Sequence, residues 1–345
     1  MRAVKLSSPG TVTLEEVPVP EPGPGEIRVK VAGAGLCHSD LHVIEMGEDW
    51  PKFDLTLGHE GAGVVDALGP AVSEHKVGDP VLVNLVWSCG NCRACVEGRD
   101  NACEVTGGRD SFPAAPGLTT DGAMAEYMIV PARHALPLGD IDPVGAGPLT
   151  DAALTPMHAI NTTRHRLTPN ATVVLTGIGG LGHSALQILK HICGSRIIAV
   201  DTDPAKLELA TKLGADVVLT SGPDTAEKIL AETNGYGVDV FLDMVGVQPT
   251  VDLAAAVIAP EGLVRLVGLG GGQFPEAAAI DPRIPWGVDV QRPYGGTRAD
   301  LLEVLAMANQ GKIHVEYTTY PLEDFQKAID DLTGGKLVGR AILVP

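Results

Sequence analysis

The stretch that most constrains the fold is "VVLTGIGGLGHSAL", residues 173–186. An apolar run meets glycines spaced G-x-G-x-x-G, at Gly177, Gly179 and Gly182, and a segment with helical apolar periodicity follows. A chain that turns this sharply from strand into helix needs glycine at the bend and again where helix packs on strand. A second apolar run, "RIIAVD", ends at Asp201, nineteen residues past Gly182. Alone the glycine pattern is weak, and a purely structural turn competes with it. The strand–turn–helix–strand context makes it a dinucleotide fingerprint. Gly179 lets backbone approach a pyrophosphate, and the helix N-terminus offers free N–H groups to it. Asp201 stands where an acid takes both ribose hydroxyls and repels a 2′-phosphate, so NAD is expected over NADP.

The same rhythm extends in both directions. "VDVFLDMVG" and "LVRLVGLGG" read as further buried strands, and amphipathic segments lie between the runs. Apolar strands alternating with helices predict a doubly wound parallel sheet covered on both faces. Before about residue 153 the pattern differs. "TVTLEEV", "EIRVKVAGAG", "GAGVVDAL" and "DPVLVNLV" are short β-branched runs split by Gly and Pro, as in a β-rich domain. The expected class is therefore α/β with a second, β-rich domain.

Four of the six cysteines fall in "CGNCRACVEGRDNAC": Cys89, Cys92, Cys95 and Cys103. No apolar run approaches a membrane span, and the N-terminal segment lacks a signal-peptide core. The chain is read as cytoplasmic, where such clustering favours metal over disulfide. Four thiolates close a tetrahedral Zn²⁺ shell and leave no open position, so this site is expected to be structural. An iron–sulfur cluster is the alternative, but its usual spacings differ. Cys193, in an apolar helical pattern, is expected to pack in a core. The formal charge of −18 excludes nucleic acid and anionic membranes as natural partners.

"GLCHSDLH", residues 35–42, packs Cys37, His38, Ser39, Asp40 and His42 into what reads as a loop. "LTLGHEGAGVV" adds His59 and Glu60, and "PLTDAALTPMHA" adds Asp151 at the domain junction. An open catalytic zinc site needs three protein ligands. Cys37, His59 and Asp151 can supply them, and two anionic ligands neutralise the ion while leaving it able to polarise an alcohol oxygen.

These segments, with "VDTDPAKL" and the terminal "GRAILVP", resemble the zinc-dependent medium-chain alcohol dehydrogenase family over essentially the whole chain. They look closest to bacterial NAD-dependent secondary-alcohol dehydrogenases, in which Asp replaces a Cys ligand. The resemblance implies a GroES-like β-rich catalytic domain, residues 1–152 completed by 294–345, with a Rossmann domain, residues 153–293, inserted. It implies that Cys37, His59 and Asp151 hold catalytic zinc, that Glu60 exchanges into its shell, and that Asp40 orients His59. Ser39 and His42 would relay the hydroxyl proton to solvent. Gly177, Gly179, Gly180, Leu181, Gly182, Asp201, Lys206, Thr155, Val245, Gly268 and Leu269 would contact NAD, with Arg340 on the pyrophosphate. His38 lies near the expected phosphate path. Two zincs per chain and a homotetramer, with a dimer as the alternative, are implied.

Trp50, Leu85, Trp87, Leu118, Trp286 and Tyr294 are candidate pocket walls, each with core packing as the competing role. Related enzymes carry a Tyr-Trp pair where this chain has Tyr294-Gly295, which predicts a wider pocket and bulky or aromatic secondary alcohols. Polyol or L-threonine oxidation by the same chemistry is the runner-up, and a non-catalytic NAD-binding relic is the reading from another class. A glutathione-adduct formaldehyde dehydrogenase lacks support in basic residues, and a zinc-free quinone reductase is disfavoured by two intact metal sets.

Overall fold

The computed structural model describes residues 1–275 and 284–345. It divides into two compact units, Met1–Leu154 with Thr297–Pro345, and Thr155–Gly296. The boundaries expected from sequence differ from these by two or three residues.

In the first unit the longest strand is Glu26–Leu36. Its alternating pattern buries Ile27, Val29 and Val31 on one face. It pairs antiparallel with Glu60–Leu68 on one side and with the C-terminal strand Arg340–Val344 on the other. Tyr127–Pro131 pairs with its first half. The register sets the site: Gly35 stands opposite both Glu60 and Ile342, and Leu36 opposite Ala341. Residues from positions 37, 60 and 340 thereby meet at one end of the strand. Gly35 has to be glycine, because a Cβ there would lie 1.9 Å from Glu60 Oε2.

After Leu36 the chain turns into a helix, His38–Glu45. From sequence alone this octapeptide reads as a loop. Cys37 N donates to Asp40 Oδ2 at 2.9 Å, a side chain reaching back to the helix start as in a capping box. Cysteine is not an expected cap residue, which is why the start signal was missed.

The second unit carries, among its described residues, six strands in the order Val217–Thr220, Arg196–Asp201, Thr172–Thr176, Val238–Asp243, Ile258–Leu266, Asp289–Gln291. All the pairings are parallel. The order reverses at Thr172–Thr176, the first strand, as a doubly wound sheet requires. Val174, Ile198, Val200, Phe241 and Val264 build its core with Ile229, Ala254 and Val257 from the helices. Between the first two strands runs the helix Gly182–Ile192, whose Ala185, Leu186, Ile188 and Leu189 are fully buried. Cys193 ends that helix half-buried, its thiol donating to Leu189 O at 3.2 Å, so it caps a helix end and is not the core residue expected. No described helix is long and apolar enough to cross a membrane.

Candidate functional site

In the first unit, ligand-type atoms of Cys37, His59, Glu60 and Asp151 all lie within 4.8 Å of one another, and all four residues are buried. Cys37 Sγ is 3.3 Å from Asp151 Oδ2, and His59 Nε2 is 3.6 Å from the same oxygen. Ligands held tetrahedrally by one zinc ion at ordinary bond lengths would stand about 3.4–3.6 Å apart. His59 Nδ1 faces Asp40 Oδ1 at 3.2 Å. A carboxylate only accepts, so this contact places hydrogen on Nδ1 and turns the Nε2 lone pair towards Cys37 and Asp151. Nε2 is buried with no hydrogen-bond partner. An orphaned imidazole nitrogen beside a thiol and a carboxylate fits a divalent ion of the zinc type.

Electrostatics agree. Burial disfavours the His59 cation, yet Asp40, Asp151 and Cys37 outweigh it and hold its pKa well above the ordinary value. The same acids that favour a proton favour a metal cation. Burial pushes Glu60 up to about 7, against the pull of Arg340.

The remaining octapeptide residues sit on the helix His38–Glu45. Ser39 Oγ lies 3.8 Å from Cys37 Sγ. His42 is half-buried on the same helical face, three residues on, and His38 is exposed. Arg340, expected on a pyrophosphate, has its guanidinium on Glu60, Asp151 and Cys37 within its own unit. The strand register causes this, and no local motif announces it.

Trp50, Leu85, Trp87 and Leu118 are buried in this unit. Leu85 N donates to Thr150 Oγ1 at 2.9 Å, which ties Leu85 to the residue before Asp151. Trp87 stacks on His134 with centroids 6.2 Å apart, and Trp50 stacks on Phe112 at 6.3 Å. Neither partner was singled out from sequence, where lone rings carry no pairing signal. Trp286 belongs to the second unit and is 85% exposed there. Tyr294, also in the second unit, is half-buried. Gly295 takes φ +50°, so glycine there serves the backbone as well as any pocket.

Cys89, Cys92, Cys95 and Cys103 form a second cluster. Cys92 Sγ is 3.4 Å from Cys95 Sγ and 3.9 Å from Cys103 Sγ, and Cys89 Sγ is 3.9 Å from Cys95 Sγ. Sulfurs around one zinc at about 2.3 Å would stand about 3.8 Å apart, and a disulfide would need about 2.05 Å. Backbone N–H groups of Cys89 and Thr106 point at Cys103 Sγ. Burial opposes its ionisation, but these donors outweigh it and bring the thiol to about 5. A thiolate is the form that binds metal.

In the second unit, Gly177 takes φ +80°, and a Cβ on Gly182 would stand 1.8 Å from Gly177 O. Nothing lies within 4 Å of where a Gly179 Cβ would stand. That leaves open space above the turn at the helix N-terminus, which fits a pyrophosphate. Asp201 Oδ2 accepts from Ile178 N at 2.6 Å and Oδ1 from Asp203 N at 3.0 Å, so the acid pins the glycine turn. Lys206, on the following helix, is half-buried. Thr155 is 8% exposed and Leu181 half-buried, while Leu269 is exposed. Asp243 was not singled out from sequence. It is fully buried and accepts from Val245 N, Gly246 N and the hydroxyls of Thr176 and Thr250. It thereby shapes the strand end where Val245 meets Gly268. A Cβ on Gly268 would lie 2.3 Å from Val245 O.

Comparison with known proteins supports both halves. Residues 23–140 match the alcohol dehydrogenase GroES-like domain, and residues 180–310 match the zinc-binding dehydrogenase domain. An NAD-dependent alcohol dehydrogenase of Sulfurisphaera tokodaii is 35% identical, over 100% of this chain and 99% of its own. The solved alcohol dehydrogenase of Aeropyrum pernix superposes with a TM-score of 0.91 at 33% identity, covering 100% of both chains. An acetophenone reductase of Geotrichum candidum, solved with NAD, superposes with a TM-score of 0.87 at 30% identity, covering 100% of this chain and 97% of that one. This chain is thus an oxidoreductase that belongs to the zinc-dependent medium-chain alcohol dehydrogenase family.

Proposed function

We propose that the chain interconverts secondary alcohols and ketones with NAD(H), and that it holds two zinc ions, one catalytic at Cys37, His59 and Asp151 and one structural at Cys89, Cys92, Cys95 and Cys103. The observation that carries this reading is the orphaned Nε2 of His59, buried between Cys37 and Asp151. Zinc there would supply a Lewis acid that acidifies a substrate hydroxyl. NAD at the glycine turn would accept the hydride.

The chain's own residues do the rest. Asp40 holds the His59 tautomer and, through Cys37 N, the thiol's backbone. Ser39 takes the hydroxyl proton, and His42 passes it to solvent. Asp201 anchors the glycine turn and offers its carboxylate to the ribose hydroxyls, which supports NAD over NADP. Trp50, Leu85, Trp87 and Leu118 exclude water from the reacting carbon and strengthen every charge interaction beside it. The small residue after Tyr294 and the likeness to an acetophenone reductase support bulky or aromatic substrates. The exposed Trp286 ring would be covered in the expected homotetramer.

The test is NADH formation across primary, secondary, cyclic and aromatic alcohols, polyols and L-threonine. The reading expects highest kcat/KM with a secondary alcohol and an NADP-to-NAD efficiency ratio below one. A ratio above one, or a polyol as best substrate, would overturn the corresponding part.

A further inference from the structure

His134 is a buried imidazole that the proposed reaction does not use. The strands Pro80–Val83 and Ala135–Pro137 pair antiparallel with Val83 opposite Ala135. One step beyond that pair, Asn84 N donates to His134 O at 2.8 Å. Asn84 O in turn accepts from Trp87 Nε1 at 2.9 Å. The imidazole comes back to the same stretch of chain. Its Nε2 donates to Ser88 O at 3.0 Å, and its ring lies against the Trp87 ring with 11° between the planes. The contacts close a circuit from Trp87 through Asn84 and His134 to Ser88, the residue next to Trp87. Trp87 N is held as well, donating to Ala114 O at 2.7 Å.

Packing against an indole needs only an apolar ring. Histidine is a costly choice here, because its Nδ1 is buried with no hydrogen-bond partner among the described residues. Burial, with the charges of Arg133 and Arg298, keeps the ring neutral. A carbonyl only accepts, so the one ring hydrogen sits on Nε2 and points at Ser88 O. That oxygen already accepts from Arg133 Nη1 at 2.9 Å, so the imidazole is not needed merely to satisfy it. What a second donor adds is direction: it fixes the peptide between Ser88 and Cys89. On one side of that peptide stands Trp87, and on the other begins the four-cysteine loop. Arg133 grips the loop from the same side, since a Cβ on Gly90 would lie 2.1 Å from its Nη2.

We infer that His134 is a positioning residue that locks the Trp87 ring in place through Ser88 O, and that this lock sets how well the pocket receives an aromatic alcohol. This rests on the reading that Trp87 walls the substrate pocket. A pocket wall rewards a matching substrate only if its rotamer is held before the substrate arrives. An indole left to move has to be ordered during binding, which weakens binding of any substrate that reaches it. An alcohol too small to reach the ring loses little.

The test uses the full chain with metal in both clusters and two variants. His134→Phe keeps a ring on Trp87 but cannot donate to Ser88 O. His134→Gln loses the ring but carries an amide N–H that can donate to it. In His134→Phe, kcat/KM for 1-phenylethanol relative to 2-propanol should fall about threefold or more, carried by KM more than by kcat. His134→Gln should keep more of that ratio than His134→Phe. Fluorotryptophan labelling gives a readout independent of turnover. The chain has three tryptophans, so ¹⁹F signals can be assigned by replacing each with Phe. The Trp87 signal should shift or broaden in His134→Phe, while those of Trp50 and Trp286 stay. A folded His134→Phe protein with an unchanged Trp87 signal or an unchanged ratio would overturn the inference, as would a larger loss in His134→Gln than in His134→Phe. Trp87→Ala separates the underlying reading. If it leaves the ratio unchanged, Trp87 is not a pocket wall, and the ¹⁹F signal alone then decides whether His134 locks the ring.

Discussion

Asp40 bonds to both Cys37 and His59, and its removal separates the orientation of these groups from metal coordination. Oδ2 accepts from Cys37 N at 2.9 Å and Oδ1 faces His59 Nδ1 at 3.2 Å, with the side chain fully buried. Asparagine is the same size but has one acceptor. If that oxygen stays on Cys37 N, the amide nitrogen faces His59 and favours a lone pair on Nδ1. The hydrogen then moves to Nε2, the atom that should hold the ion. If the oxygen turns to His59, Cys37 N loses its partner and the helix start loosens, at a cost of about 1 kcal/mol. Outer partners of metal-bound histidines typically contribute 10–100-fold in affinity, about 1.4–2.8 kcal/mol. Asp40→Asn should therefore weaken metal binding by roughly 10–100-fold. Its melting temperature in saturating metal should fall by only a few degrees, as a loss of about 1 kcal/mol implies. Chelator competition with Co²⁺ measures the first and calorimetry the second. A folded Asp40→Asn protein with unchanged affinity would refute the claim that this carboxylate fixes the ligand geometry.

Three further outcomes follow from the same structure. Ser39→Ala should lower kcat by about 10² or more, the usual worth of positioned proton transfer, while leaving NAD affinity within error; stopped-flow turnover and cofactor titration check this, and unchanged kcat would remove Ser39 from the relay. His134 is buried against Trp87, and burial, with the charges of Arg133 and Arg298, lowers it from 6.5 to about 4. The folded state binds that proton less readily than the unfolded chain, so its contribution is complete above about pH 6.5 and is lost as pH falls towards 4, about 3 kcal/mol at most; His134→Phe should flatten the stability–pH curve in that window. Cys103→Ser should release the four-cysteine metal and also weaken the helix Arg298–Asn309, because Asp100, between the cysteines, accepts from Arg298 N at 3.0 Å; metal analysis and hydrogen exchange at that helix start read the two effects separately.

The parallel sheet and the glycine turn were legible because both are local. Periodicity and a single motif encode them, and the strands Thr172–Thr176, Arg196–Asp201, Val238–Asp243 and Ile258–Leu266 fall on the predicted apolar runs, while Asp289–Gln291, exposed throughout, was not foreseen. The four cysteines were legible for the same reason, falling within fifteen residues. Bringing Cys37, His59 and Asp151 together needed more than spacing, since they meet only through strand register, and the family resemblance supplied that link. Arg340 shows the limit most clearly. Its contacts depend on Ala341 pairing with Leu36, a long-range choice that no window of sequence contains. Asp243 was hidden differently, because a buried acid that binds backbone N–H groups looks like any strand-end aspartate until the turn it closes is seen.

The most direct test of the central claim is NAD-linked oxidation of a secondary alcohol by protein carrying metal in both clusters, compared with Asp151→Asn protein whose four-cysteine metal is intact. The structure predicts NADH formation by the first and loss of at least about 10²-fold in kcat/KM by the second, as expected when a metal site that acidifies the substrate hydroxyl loses an anionic ligand. Equal activity in the two proteins, or no NADH from any alcohol, would contradict it.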